Sequence, residues 1–213
     1  MFDCDGTLVD SQANIIRAMF DSFGRMGLPD PDPHAVRRVV GLSLVEAMQA
    51  LLPEAEPELH GRLAQDYKLA FQRLRADRRL DPEPMFPGVK ELVLELEAEG
   101  WLLAVATGKS DRGLNLCLMH HGIIDRFVSL QTADHHPSKP DPAMLLACLA
   151  DAGVAAESAF IIGDTSFDMG MGVAAGVTAI GVNWGYHDAH ELLESGAVGV
   201  ARDAVHLKAL LHG

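Results

Sequence analysis

Beyond residue 88 the sequence alternates between two kinds of segment, and that alternation limits the folds open to it more than any other feature. Short apolar runs fall at Trp101–Ala106, Phe127–Leu130, Ala159–Ile162 and Val177–Val182. Between and before them, residues 88–99, 111–121, 142–152 and 167–175 place apolar side chains at helical spacing. Short apolar runs that alternate with helices make βαβ units, whose parallel strands are covered by helices on both faces. Residues 11–79 break the rhythm. Apolar residues there keep helical spacing, from Ile15, Met19 and Phe23 through Leu63, Tyr67 and Leu74, and no run resembles a strand. Ser11 or Asp10 is available to cap the first of these helices. Pro82, Pro84 and Pro87 then mark a linker. The expected architecture is α/β: a doubly wound parallel sheet built from residues 1–10 and 85–213, with an all-helical cap at 11–84. A cap tied at both ends can hinge. The run Gly170–Gly176 has one residue too many for a dinucleotide fingerprint and lies within a helix, so its small residues are read as close helix-to-sheet packing.

In a parallel sheet all carboxyl ends lie on one edge, where open α/β folds bind ligands. The polar residues gather there. The opening stretch Met1–Asp10 runs two apolar residues into Asp3 and Asp5, followed by Gly6 and Thr7. Side chains at i and i+2 of an extended chain project to the same side, so the two acids repel unless a cation or a proton intervenes. Gly6 allows a tight turn past them. Thr107 and Gly108 end the next strand, Lys139 sits in the loop after the third, and Asp164 and Asp168 follow the fourth. Three carboxylates facing one lysine are hard oxygen donors suited to Mg²⁺ and a phosphate rather than to zinc. Thr107 and Gly108 are expected to open a helix, offering a hydroxyl and free N–H groups to an anion. Each residue also has a plainer reading: a solvated Asp-Gly turn, a helix cap at Thr107, a loop lysine at Lys139, a helix-terminal charge at Asp168. Their joint occurrence at successive strand ends favours phosphoryl chemistry.

Taken together, DxDGT at Asp3, the apolar run ending in Thr107, Lys139-Pro140 and GDxxxD at Asp164 resemble the four motifs of the haloacid dehalogenase superfamily, across the whole chain. The helical insert and Asn183-Trp184-Gly185-Tyr186 are similar to the phosphoglycolate phosphatase-like subfamily. The resemblance implies a Rossmann-like core and a Mg²⁺-dependent phosphatase acting on a small phosphorylated metabolite, a phosphoglycolate-like monoester. It implies that Asp3 is the nucleophile forming an aspartyl-phosphate and Asp5 the general acid/base. Thr107, Gly108 and Lys139 would bind the phosphoryl group. Asp3, the Asp5 carbonyl and Asp164 would hold the metal, with Asp168 in support. Asp5 sets the chain apart from dehalogenases, which lack the second acid. Pyrophosphatase or phosphomutase chemistry, or a catalytically weak phospho-ligand-binding protein, are the alternatives. In the cap, Arg37, Arg38 and the turn at Ser43 are candidates for substrate specificity. Adjacent histidines do not give facing metal-ligand geometry, so His120–His121 and His135–His136 are not expected to bind metal, and the second pair is placed at the site's rim.

A net charge of −13 and an isoelectric point near 5.1 argue against nucleic acid and anionic membrane as partners. No apolar run has the length of a transmembrane helix and no signal peptide precedes Asp3. Three unpatterned cysteines fit a reducing compartment. The expectation is a cytoplasmic monomer or homodimer. Only Met1 and Phe2 precede Asp3, whereas strands usually run about five or six residues, so the central strand is expected to continue upstream by about four to six residues.

Overall fold

The computed structural model describes residues 1–213 without a gap. Its sheet contains the parallel strands β1 (Leu103–Thr107), β2 (Phe127–Thr132), β3 (Phe160–Gly163), β4 (Thr178–Val182) and β5 (Gly199–Ala201). β1 pairs with β2, while β4 lies between β3 and β5. The opening segment joins these two halves. Phe2 bridges Val105 and Ile162 in parallel; its N–H donates to the Ala104 carbonyl, and its own carbonyl accepts from Ala106. The order across the sheet is therefore β2, β1, residues 1–3, β3, β4, β5. Strand order reverses around the opening segment, which puts Asp3 at the switch point of the sheet.

Alternation along each strand decides which helices cover it. Phe2, Leu103, Val105, Ile162, Ile180 and Val182 face a layer made by α5 (Val89–Ala98), α6 (Asp111–His121) and α10 (Ala204–His212). Ala104, Ala106, Ile161 and Ala179 face α7 (Ala143–Ala152), α8 (Ser166–Ala175) and α9 (Ala189–Glu194). The small residues on the second face admit helices closely: a Cβ at Gly172 of α8 would lie 2.6 Å from Ile161. β5, α9 and α10 have no counterpart in the sequence expectation. β5 is three residues long and only Ala201 of it is buried, so it carries no strand-length apolar run.

Residues 12–76 form α1 (Gln12–Arg25), α2 (Pro33–Arg38), α3 (Leu44–Leu51) and α4 (Pro57–Ala76). They close on a core of their own, in which Phe23, Met48, Leu63 and Leu74 are fully buried. No helix is long and apolar enough to cross a membrane.

Arg38 forms a forked ion pair with Glu191 of the sheet-bearing part, at 2.5 and 2.7 Å. The Arg38 guanidinium holds the Glu191 carboxyl down at about 2, against an ordinary 4.5. A carboxylate with a lowered folded pKa stabilises above its ordinary pKa and loses that contribution as pH falls through the folded value, so this latch is intact above pH 4.5 and released toward pH 2. The pair is partly exposed, which limits its strength. Glu191→Gln is therefore expected to raise amide exchange in the linker Leu80–Met85 by about two- to fivefold at neutral pH. Unchanged exchange would show that the latch contributes nothing to closure.

Candidate active site

Four segments meet at the carboxyl edge of the sheet. Asp3 ends the opening segment, Thr107 ends β1, Lys139 lies in the loop after β2, and Asp164 follows β3 directly. All four are buried, as is Asp168 in the first turn of α8. Lys139 Nζ donates to Asp168 Oδ1 at 2.6 Å and sits 2.9 Å from Asp3 Oδ1. Asp168 also closes a capping box: its Oδ2 accepts from the Thr165 N–H and hydroxyl, while Thr165 Oγ1 accepts from the Asp168 N–H. It thus complements its own helix and holds Lys139 at once. Asp164 accepts from the Thr7 hydroxyl at 2.7 Å and from the Tyr186 N–H at 2.9 Å. Carboxylate oxygens of Asp3, Asp164 and Asp168 lie within 4.8 Å of one another.

One lysine does not neutralise three buried carboxylates. Burial pushes the Asp3 carboxyl up to about 6 although Lys139 opposes it. Burial also raises Asp164 well above the carboxylate range, with Asp3 and then Asp168 adding to the effect. For Lys139, burial disfavours the ammonium, yet Asp168 and Asp3 outweigh it and hold the pKa above that of an ordinary lysine. Both Asp3 oxygens are buried without a hydrogen bond, since Lys139 is near Oδ1 but not aligned with it. A buried carboxylate with no donor is an unsatisfied ligand. The Asp5 carbonyl accepts no backbone hydrogen bond. At Gly6, whose φ is +86°, a Cβ would lie 2.2 Å from Asp164 Oδ2, so only glycine lets the loop approach this carboxylate. Asp3, Asp164 and the Asp5 carbonyl are therefore a donor set that fits a small, hard divalent cation. Both Asp168 oxygens are taken by Lys139 and Thr165, which places it behind the other donors.

The Asp5 side chain turns elsewhere. Its Oδ1 accepts from the Ser11 hydroxyl and from Lys109 Nζ, each at 2.5 Å, while Oδ2 makes no hydrogen bond. Burial works against the Lys109 charge, but Asp5 outweighs it and raises the pKa. Ser11 is the N-cap residue of α1, yet its hydroxyl serves Asp5 rather than the helix.

The expectation that Thr107 and Gly108 open a helix is corrected. Thr107 remains in β1, opposite Thr132, and α6 starts at Asp111. Ser110, in extended conformation, takes the cap position and accepts from the Gly113 N–H, so the chain stays non-helical for three residues past Thr107. Those residues carry Lys109 to Asp5. The sequence reading assigns no site role to Lys109, Ser11, Thr7 or Tyr186; the available signals are the adjacency of Lys109 to Thr107-Gly108, the place of Thr7 in DxDGT and that of Tyr186 after Asn183-Trp184-Gly185.

From Asp3, Asp5, Thr107 and Gly108 a cavity of about 970 Å³ extends between the helical insert and the sheet-bearing part. Gly41 and Leu42 line it, and a Cβ at Gly108 would lie 2.8 Å from each of their carbonyl oxygens. Backbone therefore rests on backbone at this point. Arg37 and Ser43 are not on the cavity wall. Arg37 donates to the Gly185 carbonyl at 2.6 Å and stands over the Tyr186 ring, and the Ser43 N–H donates to the Ser138 hydroxyl at 2.7 Å. Both fasten the insert to the rest of the protein. The histidine pairs exchange places too: His120 and His121 line the cavity, whereas His135 and His136 lie outside it, bonded to Asp111 and Gln131.

Residues 1–182 match the family model described as haloacid dehalogenase-like hydrolase. The chain is 34% identical over 195 residues to "Probable phosphatase IndB" of Dickeya dadantii, covering 90% of this chain and 84% of that one. It is 30% identical over 213 residues to phosphoglycolate phosphatase of Nitrosococcus oceani, covering 99% and 95%. Among solved structures, a hydrolase from Pseudomonas syringae superposes with a TM-score of 0.86 at 27% identity, covering 99% of this chain and 96% of that one.

Proposed function

The chain belongs to the haloacid dehalogenase-like hydrolase family, and from that premise we propose that it is a Mg²⁺-dependent phosphatase that hydrolyses a phosphate monoester of a small molecule through an aspartyl-phosphate on Asp3. The observation that carries this reading is the Asp3 carboxylate, buried without a hydrogen bond beside Lys139 and Asp164 at the inner end of the cavity. Names borne by the relatives, phosphatase and phosphoglycolate phosphatase, support the reaction class.

Mg²⁺, held by Asp3, Asp164 and the Asp5 carbonyl, would supply positive charge where the phosphoryl group meets Asp3. The protein's own groups do the rest. Asp3 attacks phosphorus, and the ester oxygen leaves with a proton from Asp5, which lines the cavity and has Oδ2 free. Asp5 then accepts a proton from water as the water attacks the phosphoenzyme, which frees phosphate and restores Asp3. Lys139 neutralises charge beside Asp3 throughout, and Thr107 and Gly108 offer polar groups to the phosphoryl oxygens. Lys109 and Ser11 keep Asp5 oriented toward the leaving oxygen.

Release of phosphate from p-nitrophenyl phosphate tests the proposal. Turnover should vanish in excess EDTA and return with Mg²⁺; full activity in EDTA, or none with Mg²⁺, contradicts it. A second readout needs no substrate. Asp3 binds its proton more tightly folded than unfolded, its pKa rising from 3.8 to about 6, so in EDTA the stability of the protein should fall as pH rises through that window. Mg²⁺ should remove the decline, as urea unfolding midpoints would record. A midpoint that ignores Mg²⁺ above pH 6 contradicts the metal assignment.

A further inference from the structure

The cavity is larger and differently lined than a two-carbon leaving group requires. It runs between α4 and α6, which point the same way. Near the reaction centre, Lys68 of α4 pairs with Asp134, whose other oxygen accepts from the Asp111 N–H at the start of α6. At the far end, His121 of α6 hydrogen-bonds the Glu83 carbonyl in the linker after α4. Tyr67 of α4 lines the cavity together with Asp5. Past Tyr67 and Lys68, the α4 residues on the wall are Phe71, Gln72 and then Arg75, the last about 12 Å from Tyr67 along the helix axis. The wall that α6 contributes includes Leu116 and Met119, both exposed.

The charges are uneven. Wall acids other than Asp3 and Asp5 all have partners: Asp81 pairs with Arg17, Asp134 with Lys68, and Glu83 accepts from Asn14. Arg75, Arg78 and Arg112 line the same cavity and form no ion pair, in a chain of net charge −13. Apolar walls between a phosphate site and unpaired arginines match a ligand with two anionic ends.

We propose that the substrate's leaving group is a long amphiphile: an apolar body lying between α4 and α6, ending in a second anionic group bound by Arg75 and Arg78. The inference rests on the phosphatase reading and names the substrate class for that site. The carboxylate and phosphate forms of the distal group share this chemistry and are separated by the test.

Purified protein with Mg²⁺ is assayed on p-nitrophenyl phosphate, phosphoglycolate, n-octyl phosphate, ω-carboxyoctyl phosphate and octane-1,8-diyl bisphosphate. The expected kcat/KM for at least one doubly anionic long ester exceeds that for n-octyl phosphate by about tenfold or more, and also exceeds that for phosphoglycolate; whichever long ester is preferred identifies the distal group. In Arg75→Ala/Arg78→Ala the ratio to n-octyl phosphate should collapse toward one, whereas a merely structural role would lower both esters alike and leave the ratio intact. Preference for phosphoglycolate, or an unchanged ratio in the variant, overturns the inference. If even p-nitrophenyl phosphate is not hydrolysed, the phosphatase reading falls by itself. Calorimetric titration of ω-carboxyoctyl phosphonate then decides the cavity's role: binding weakened about tenfold or more by the double substitution supports it, and absent or equal binding refutes it.

Discussion

Asp3→Asn is expected to lower kcat/KM for every phosphate ester by at least about 10⁴-fold and to leave no phosphoenzyme. The substitution removes the attacking oxygen and one charge from the cation site together. It should not unfold the protein, because burial already disfavours the ionised Asp3 carboxyl and an amide of the same shape carries no charge to desolvate. Asp5→Asn separates the roles. It retains the carbonyl offered to the cation and loses proton transfer, so a fall of about 10²- to 10⁴-fold is expected. With p-nitrophenolate as leaving group, attack needs little acid assistance while hydrolysis still needs the base, so phosphorylated Asp3 should accumulate in this variant. Rapid-quench labelling and peptide mapping read the outcome. Phosphate on Asp5, or wild-type turnover by Asp3→Asn, would refute the assignment.

Lys139→Met should destabilise the protein by about 3–5 kcal/mol in EDTA, the usual effect of deleting one partner from a buried ion pair. The ammonium is fully buried between Asp168 and Asp3, and methionine of similar length leaves both carboxylates without a counter-charge. Asp168 cannot turn to solvent, because its Oδ2 is committed to Thr165. Adding Asp168→Asn to the variant should recover part of the loss, since the amide can still accept from Thr165 without bearing charge. Urea unfolding of the single and double variants, with and without Mg²⁺, measures this. A loss below about 1 kcal/mol, in the range of exposed pairs, would mean that water or another cation reaches the carboxylates.

All four substitutions concern residues that the sequence alone brings forward. Asp3, Lys139 and Asp164 are legible because each falls just beyond an apolar run or in the loop after one, and parallel strands deliver such positions to one edge whatever the details of packing. Strand faces are legible instead from period-two alternation, which sends Leu103 and Val105 to one helical layer and Ala104 and Ala106 to the other. Lys109 is not, because whether α6 begins at Thr107 or after Ser110 depends on two residues with similar capping strength. That choice decides whether a lysine enters the site. Arg37 fails for another reason. Its position on α2 says that it leaves the core of the insert, but not whether it then meets the cavity or Gly185. Only the placement of the insert on the sheet determines that. Chain length defeats β5, whose three residues carry no periodic signal.

The contact of Gly41 and Leu42 with Gly108 bears on how such a protein changes over generations. Carbonyl oxygens form one side of the joint and a residue without a side chain forms the other. Main-chain atoms are the same in every sequence, so the fit of this joint does not depend on the side chains that α1 and α4 turn toward the cavity. Descendants can exchange those side chains one at a time and meet new leaving groups, while the phosphate end stays shut in the same way. Position 108 has no comparable freedom, since any side chain would strike the two carbonyls. Preference for a leaving group and the cleavage of its phosphate bond are in this sense heritable separately, with a single glycine as the fixed point between them.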